Sequence, residues 1–275
     1  AVANYYPAFL EAFHSDLPLY ILSADRPARL RQTGANQTTN QVHLFNCGRY
    51  FDGNHYEFHA NGPTHINLEF DEPLLSDDQS NWLEDLASDE LWSEKLAQEE
   101  LVIPSGKGIV IAGHDSVDVS ELVAQLQVPL IAENPLSYPN AIAHASLFSV
   151  QLEIDWAIVT GRTTLSRSTN SLIAKAKKVF VIDSKAARID PKRSATKIFS
   201  TIPKLIGRAE PWTINSEYFS IKEWSEPAAA QCIAENLPNG STLYVSSSRP
   251  IRDLEAFAKP RSGVEVFGNR GLAGI

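Results

Sequence analysis

Gly108-Ile109-Val110-Ile111-Ala112 is an apolar run without alternation, and Val119, Leu122, Val123 and Leu126 follow it at helical spacing before a second run, Pro129-Leu130-Ile131-Ala132. Short all-apolar segments bounded by glycine or proline read as strands buried on both faces. A single helix between two of them predicts a parallel βαβ unit. The pattern continues through Trp156-Ala157-Ile158-Val159, a helix holding Leu172-Ile173-Ala174, and Val179-Phe180-Val181-Ile182-Asp183. The fold class expected is therefore α/β, with doubly wound, mainly parallel sheets.

Toward the N-terminus, Val2, Tyr5, Tyr6, Phe9, Leu10 and Phe13 repeat at helical spacing, and Pro18 to Ser23 form a strand ended by Asp25-Arg26-Pro27. A second strand, His65 to Phe70, runs into Asp71-Glu72-Pro73. The acidic, Ser-rich stretch from there to about Glu100 reads as a linker. On the other side, Lys185 to Arg208 reads as irregular, punctuated by Pro191 and Pro203, and a third αβ series begins with a helix from about Pro227 to Leu237. The strand Leu243-Tyr244-Val245 then enters Ser246-Ser247-Ser248-Arg249-Pro250-Ile251-Arg252, which resembles a capped helix start, and Val264 to Phe267 is the next strand.

The chain has 275 residues, room for about two ordinary domains, and its 43% hydrophobic content suits a globular core. Its 24 Lys and Arg against 33 Asp and Glu give a net charge of -9, so no broad basic field is available for a nucleic-acid backbone. Cys47 and Cys232 lack paired spacing; two buried thiols in a reducing cytoplasm are expected, not a disulfide scaffold or a zinc site. No apolar run reaches the roughly 18 to 20 residues of a membrane span, and Ala1-Val2-Ala3-Asn4-Tyr5 lacks signal-peptide character. The absence of Met and the opening inside a helix make a piece of a longer chain the expectation. His55, His59 and His65 have no metal-ligand spacing, Gly106-Lys107-Gly108 lacks the rest of a P-loop, and no Gly-x-Ser-x-Gly occurs; no metal ligands are assigned.

Against this acidic background, four arginines stand just after expected strands: Arg26, Arg162, Arg252 and Arg270. The carboxyl ends of strands face the ligand crevice in open α/β sheets, so repeated cations there point to a small, multiply anionic ligand. Arg249 and Arg252 also occupy the first turn of a helix, where the dipole disfavours cations unless an anion sits nearby. Asn269-Arg270-Gly271-Leu272-Ala273-Gly274-Ile275 is a glycine-bearing turn that lets backbone approach a ligand. Two blander readings stand beside this one. Arg26 next to Asp25 could form an ordinary ion pair, and Arg162 with Arg167 could be a solvated face.

Several motifs fall in one order: Ala1-Val2-Ala3-Asn4, Ala24-Asp25-Arg26-Pro27, Gly34-Ala35-Asn36-Gln37, Gly62-Pro63-Thr64-His65-Ile66-Asn67 with Glu72-Pro73-Leu74, Thr160-Gly161-Arg162, Ser248 with Arg252, and Asn269-Arg270-Gly271 with Gly274-Ile275. Together they resemble the 2-succinyl-5-enolpyruvyl-6-hydroxy-3-cyclohexene-1-carboxylate synthases of menaquinone biosynthesis, a thiamine diphosphate enzyme family. The resemblance spans the chain and implies three α/β domains: the latter part of a pyrimidine-binding domain over 1–75, a linker and central domain over 76–212, and the start of a diphosphate-binding domain over 213–275. It implies a cytoplasmic transferase, at least dimeric, that uses thiamine diphosphate and Mg2+ to decarboxylate 2-oxoglutarate and add the succinyl unit to isochorismate. Both substrates are dicarboxylates, in agreement with the arginine reading.

By position, the resemblance implies active-site roles for Arg26, Asn36 and Gln37, a cationic contribution from Arg162, and carboxylate binding by Ser248, Arg252 and Arg270. Gly274 and Ile275 resemble cofactor-binding positions, Ile275 as the apolar wedge that bends the cofactor. The family's activating glutamate precedes Ala1 and its Gly-Asp-Gly metal motif follows Ile275, so the chain alone is expected to be inactive. The stretch between Gln37 and Gly62 is also shorter than the family's. Two alternatives stay open: another thiamine diphosphate 2-oxoacid enzyme, or a non-catalytic remnant of the fold that senses an anion through Arg162 and Arg167.

Overall fold

The structure, a computed structural model, describes residues 2–53, 55–75, 77–78, 98–184 and 194–269. The chain divides into two compact units, Ala1–Lys95 and Leu96–Ile275.

In the first unit a 3-10 turn at Val2–Tyr5 leads into α1 (Tyr6–Ser15), which ends at Asp16 in the left-handed region. Three parallel strands follow, β1 (Leu19–Asp25), β2 (Arg49–Asp52) and β3 (Pro63–Glu69), in the order β1-β3-β2. β2 was not expected, because Arg49-Tyr50-Phe51-Asp52 mixes polar and aromatic residues and buries none of them fully. The apolar core is small: Phe9 stacks on Phe45 at 4.2 Å beside Ile21 and Val2. Registers pairing Ile21 with His65, Ser23 with Asn67, and Tyr50 with His65 place these residues on one sheet face, and that face turns polar toward its carboxyl edge.

In the second unit, β4 (Glu100–Val102) precedes β5 (Gly108–Ala112), α2 (Ser120–Leu126), β6 (Leu130–Ala132), the short α3 (Ala145–Phe148), β7 (Trp156–Thr160), α4 (Arg167–Lys175), β8 (Lys178–Ile182) and β9 (Lys197–Phe199). β5 to β9 form one parallel sheet in the order β6-β5-β7-β8-β9. Its strands face apolar layers on both sides: Val110, Trp156, Ile158, Phe180 and Ile182 on one, Ile109, Ile111, Ala157, Val159 and Val181 on the other. This two-sided burial is why the strands read as unbroken apolar runs, and each fully buried Ile or Val contributes about 1.5–3 kcal/mol. Gly108 is required opposite Trp156, since a Cβ there would lie 2.0 Å from the indole ring.

β10 (Lys204–Ile206) pairs in parallel with β4. With β9 it corrects the expectation of irregular structure up to Arg208; three-residue strands are too short to show a period, and Lys197 and Lys204 are answered by Glu99 and Glu100. α5 (Glu226–Asn236), β11 (Ser241–Val245), α6 (Arg249–Phe257) and β12 (Val264–Gly268) complete the unit, β11 pairing in parallel with β12. Leu136 packs with Ala234, Val245, Ile251 and Leu254, tying this last part to the turn after β6. Among the described residues every strand ladder is parallel, so the fold is α/β as expected. The thiols differ from expectation: Cys47 is half-buried and Cys232, on a solvent-facing turn of α5, is exposed. No described helix is long and apolar enough to cross a membrane.

Candidate functional site

The three strands of the first unit each end in an acid, Asp25, Asp52 and Glu69. Arg31 answers all three: Nε lies 3.2 Å from Asp25, and Nη2 lies 3.3 Å from Asp52 and 2.5 Å from Glu69. The bond to Asp52 leads the interactions that raise the Arg31 pKa. Burial pushes the Asp52 carboxyl up, but bonds from Arg31 and Asn67 together outweigh it and hold that carboxyl below its ordinary range. Arg31 escaped the sequence reading because its partners lie on three separate strands, one of them unexpected.

Arg26 behaves differently. Its backbone N–H donates to Asp25 Oδ1 at 2.8 Å, while its guanidinium is exposed and has no ion pair among the described residues. The simple Asp25–Arg26 side-chain pair is therefore not what forms; the Asp25 carboxylate is taken by Arg31 and by Asn67 Nδ2 at 2.9 Å. Asn36 and Gln37 are exposed on the loop that follows, Gln37 with φ +56.

In the second unit the order β6-β5-β7 reverses the direction of winding at β5, the position where open α/β sheets place their ligands. Here that point is bridged by backbone. His114 N–H donates to Arg162 O at 2.9 Å, Arg162 N–H returns to His114 O at 2.8 Å, and Gly113 N–H donates to Thr160 O at 2.8 Å. Arg162 is thus anchored at both main-chain groups and half-buried, not part of a fully solvated face. Arg167, by contrast, is the exposed first residue of α4, whose N-cap Ser166 accepts from Thr169 N–H.

At the carboxyl ends of β11 and β12, Ser247 joins the two turns: its N–H donates to Asn269 Oδ1 at 2.9 Å and its hydroxyl donates to Asn269 O at 2.6 Å. Ser248 precedes α6 with φ +79, but its hydroxyl does not cap the helix. It accepts instead from Arg252 Nη2 at 3.3 Å, while Arg252 Nε donates to Ser248 O at 2.9 Å. Arg249, expected to need an anion, is neutralised within the protein by Asp253 at 3.0 Å and Glu226 at 3.1 Å. The anion argument from the helix start therefore rests on Arg252, which is exposed and has no carboxylate partner among the described residues.

A cleft of about 520 Å³ opens beside it, where Arg167, Arg249 and Arg252 outnumber the carboxylates Asp253 and Glu255. The structure thus brings Arg252 together with Arg167, a pairing absent from the sequence reading, and Arg162 does not line this cleft. A smaller cleft of about 220 Å³ is lined by His114, Asp115, Glu133 and Glu265, an acidic set unsuited to an anion. Arg270, Gly274 and Ile275 lie outside the described residues.

No family model matches the chain. It is 30% identical to the 2-succinyl-5-enolpyruvyl-6-hydroxy-3-cyclohexene-1-carboxylate synthase of Thermobifida fusca and 33% identical to that of Nocardioides sp., all of the chain aligning with 60% and 58% of those proteins. The synthase of the same name from Desulfitobacterium hafniense is 27% identical, again over the whole chain and 62% of its own length. The chain therefore spans about three fifths of these relatives. Among solved structures, a thiamine diphosphate-dependent 4-hydroxybenzoylformate decarboxylase from Rhodococcus jostii superposes with a TM-score of 0.60 at 11% identity, covering 98% of this chain and 62% of that one. Benzoylformate decarboxylase from Polynucleobacter necessarius gives 0.53 at 12% identity, covering 98% and 61%. At such identities the structures speak for the fold alone. Along its whole length, this chain is a homologue of the 2-succinyl-5-enolpyruvyl-6-hydroxy-3-cyclohexene-1-carboxylate synthases, built on the α/β fold of thiamine diphosphate-dependent decarboxylases.

Proposed function

We propose that the chain is part of a thiamine diphosphate-dependent transferase that decarboxylates 2-oxoglutarate and adds the succinyl unit to isochorismate, giving 2-succinyl-5-enolpyruvyl-6-hydroxy-3-cyclohexene-1-carboxylate in menaquinone biosynthesis. The observation that carries this reading is the homology to synthases of one name over every part of the chain. The three-domain division, a cytoplasmic location, Mg2+ and assembly into at least a dimer belong to the same proposal.

The residues present fit such a cofactor and such substrates. Asn36 and Gln37 offer exposed amides on the loop that Arg31 joins to the strand-end acids Asp25, Asp52 and Glu69. Arg26 and Arg252 keep exposed guanidiniums without acid partners among the described residues, suited to the carboxylates of two dicarboxylic substrates. In this reading Ser248, Arg252 and Arg270 orient substrate carboxylates, Arg26 and Arg162 add positive charge, Asn36 and Gln37 serve the active site from the pyrimidine-domain side, and Gly274 and Ile275 hold the cofactor. The cofactor supplies the electron sink for decarboxylation, and the protein supplies position and charge.

The test is an assay of isochorismate consumption by the complete protein with 2-oxoglutarate, thiamine diphosphate and Mg2+ all present, then with each omitted. Consumption that requires all three is expected. A folded, complete protein that leaves isochorismate untouched removes the assignment, and a survey of other 2-oxoacids then becomes the next step.

A further inference from the structure

In the motif Gly62-Pro63-Thr64-His65-Ile66-Asn67, His65 and Asn67 are among the most buried polar residues described, at 1% and 0% exposure. They belong to a hydrogen-bonded chain whose direction follows from its end. Carboxylates only accept, so Asn67 must turn its amide nitrogen to Asp25 Oδ2 at 2.9 Å and Asp52 Oδ1 at 3.3 Å. Its Oδ1 then accepts from Ser23 Oγ at 2.8 Å, which leaves Ser23 Oγ to accept from His65 Nε2 at 2.7 Å. The result is a rigid polar base beneath the carboxylates, with Asp25 held by Asn67 and, on its other oxygen, by the Arg26 N–H.

Arg31 closes on that base from the loop side. The segment Arg26 to Gln37 contains only one short 3-10 turn, Ala28–Leu30, and most of its side chains are exposed. Arg31 is the charged residue of the segment that is largely covered, its side chain 15% exposed and paired with Asp25, Asp52 and Glu69, one acid from each strand. Glu69 holds the turn twice, accepting from Ala28 N–H at 3.1 Å through Oε2 and from Arg31 through Oε1. A second pair, Arg29 with Asp71, is solvent-exposed and adds little.

We propose that Arg31 is the positioning residue of this segment: by locking onto Asp25, Asp52 and Glu69 over the Asn67–Ser23–His65 base, it fixes the loop that presents Arg26, Asn36 and Gln37. The proposal rests on the reading that these three residues serve the synthase site, and it assigns Arg31 no contact with substrate or cofactor. A planar guanidinium spreads five donors over a fixed fork that spans acids on separate strands, whereas the three donors of lysine radiate from one nitrogen, so the latch favours arginine.

The test uses the complete protein with Arg31→Met, Arg31→Lys and Glu69→Gln, and two readouts. Amide hydrogen exchange over residues 27–37 is expected to quicken by about tenfold or more in Arg31→Met and less in Arg31→Lys, while the peptides of β5 and β7 stay unchanged. In the isochorismate assay kcat is expected to fall about 10- to 100-fold in Arg31→Met with partial recovery in Arg31→Lys, the usual scale for a misplaced site group. Unchanged exchange overturns the latch, and faster exchange with unchanged kcat and KM overturns the positioning role. Should Arg31→Met fail to fold, Glu69→Gln, which removes the charge and keeps one of the two acceptor oxygens, decides by the same two readouts. Wild-type protein inert toward isochorismate removes the proposed function and with it the positioning role, whereas the exchange arm still reads the latch.

Discussion

The carbonyl oxygen of Arg162 lies so close over Gly113 that a Cβ at Gly113 would stand 1.8 Å from it. Across the same bridge, Gly161 sits at φ +67 with its would-be Cβ 2.2 Å from His114 O. Two glycines therefore let the ends of β5 and β7 join by backbone, and Arg162 is held as part of that join. Gly113→Ala forces backbone apart and is expected to cost about 1–3 kcal/mol, toward the upper end because backbone cannot swing aside as a side chain can. Chemical denaturation of the complete protein checks this; an unchanged midpoint would falsify the close approach.

Arg249 and Arg252 differ in who holds them, and this gives a paired prediction. Arg252→Ala in the complete protein is expected to weaken use of substrate by about 1.5–3 kcal/mol, the scale of a hydrogen bond to a charged group, with the fold intact. Arg270→Ala is expected to act likewise. Arg249→Ala should instead alter stability and leave KM near wild type, since Asp253 and Glu226 already occupy its guanidinium. Steady-state kinetics on the three variants decide, and equal effects at Arg249 and Arg252 would count against the carboxylate-binding role of Arg252.

What could be read from the residues divides along physical lines. β5, β7 and β8 were legible because burial on both faces writes a continuous apolar run. β2, β9 and β10 were not, being three- or four-residue strands whose pairing is set by neighbours distant in sequence. At the site, the placement of Arg26 and Arg252 after strands was legible. The fate of each charge was not: Arg249 is neutralised by Glu226 on another helix, and Arg31 by acids from three strands. A sequence displays charges but not which of them cancel.

His144 is buried and has both ring nitrogens in use: Nε2 accepts from Phe219 N–H at 3.1 Å, so Nδ1 carries the hydrogen and donates to Ala256 O at 2.8 Å. Its ring stacks on Phe219 at 4.0 Å. It therefore ties the strap that precedes α5 to the end of α6. His144→Phe keeps the stacking and removes both bonds, and is expected to cost about 1–3 kcal/mol for the buried Ala256 carbonyl left unsatisfied, while the N–H of the exposed Phe219 adds little. Denaturant unfolding of the variant measures this; a loss no larger than that of an exposed substitution would show the two bonds to be dispensable.

His65 gives the first unit a dependence on pH whose sign follows from its surroundings. Burial lowers the His65 pKa from the ordinary 6.5, outweighing Asp52 and Asp25, which pull it up, while His43 adds to the lowering. Below 6.5 the unfolded chain then binds a proton that the folded one refuses, so the contribution is whole above that pH and is lost as pH falls through it toward the lower folded value. A second loss is expected at lower pH. Asp52 and Asp71 both have folded pKa values below the ordinary 3.8, so their contribution fades as pH drops from there. Protection factors for amides of β1 and β3, corrected for the intrinsic pH dependence of exchange, should therefore decline in two steps between neutral and strongly acid pH. In His65→Gln the upper step should vanish, because glutamine keeps a donor toward Ser23 and has nothing to titrate. Persistence of that step in the variant would place its origin in another group.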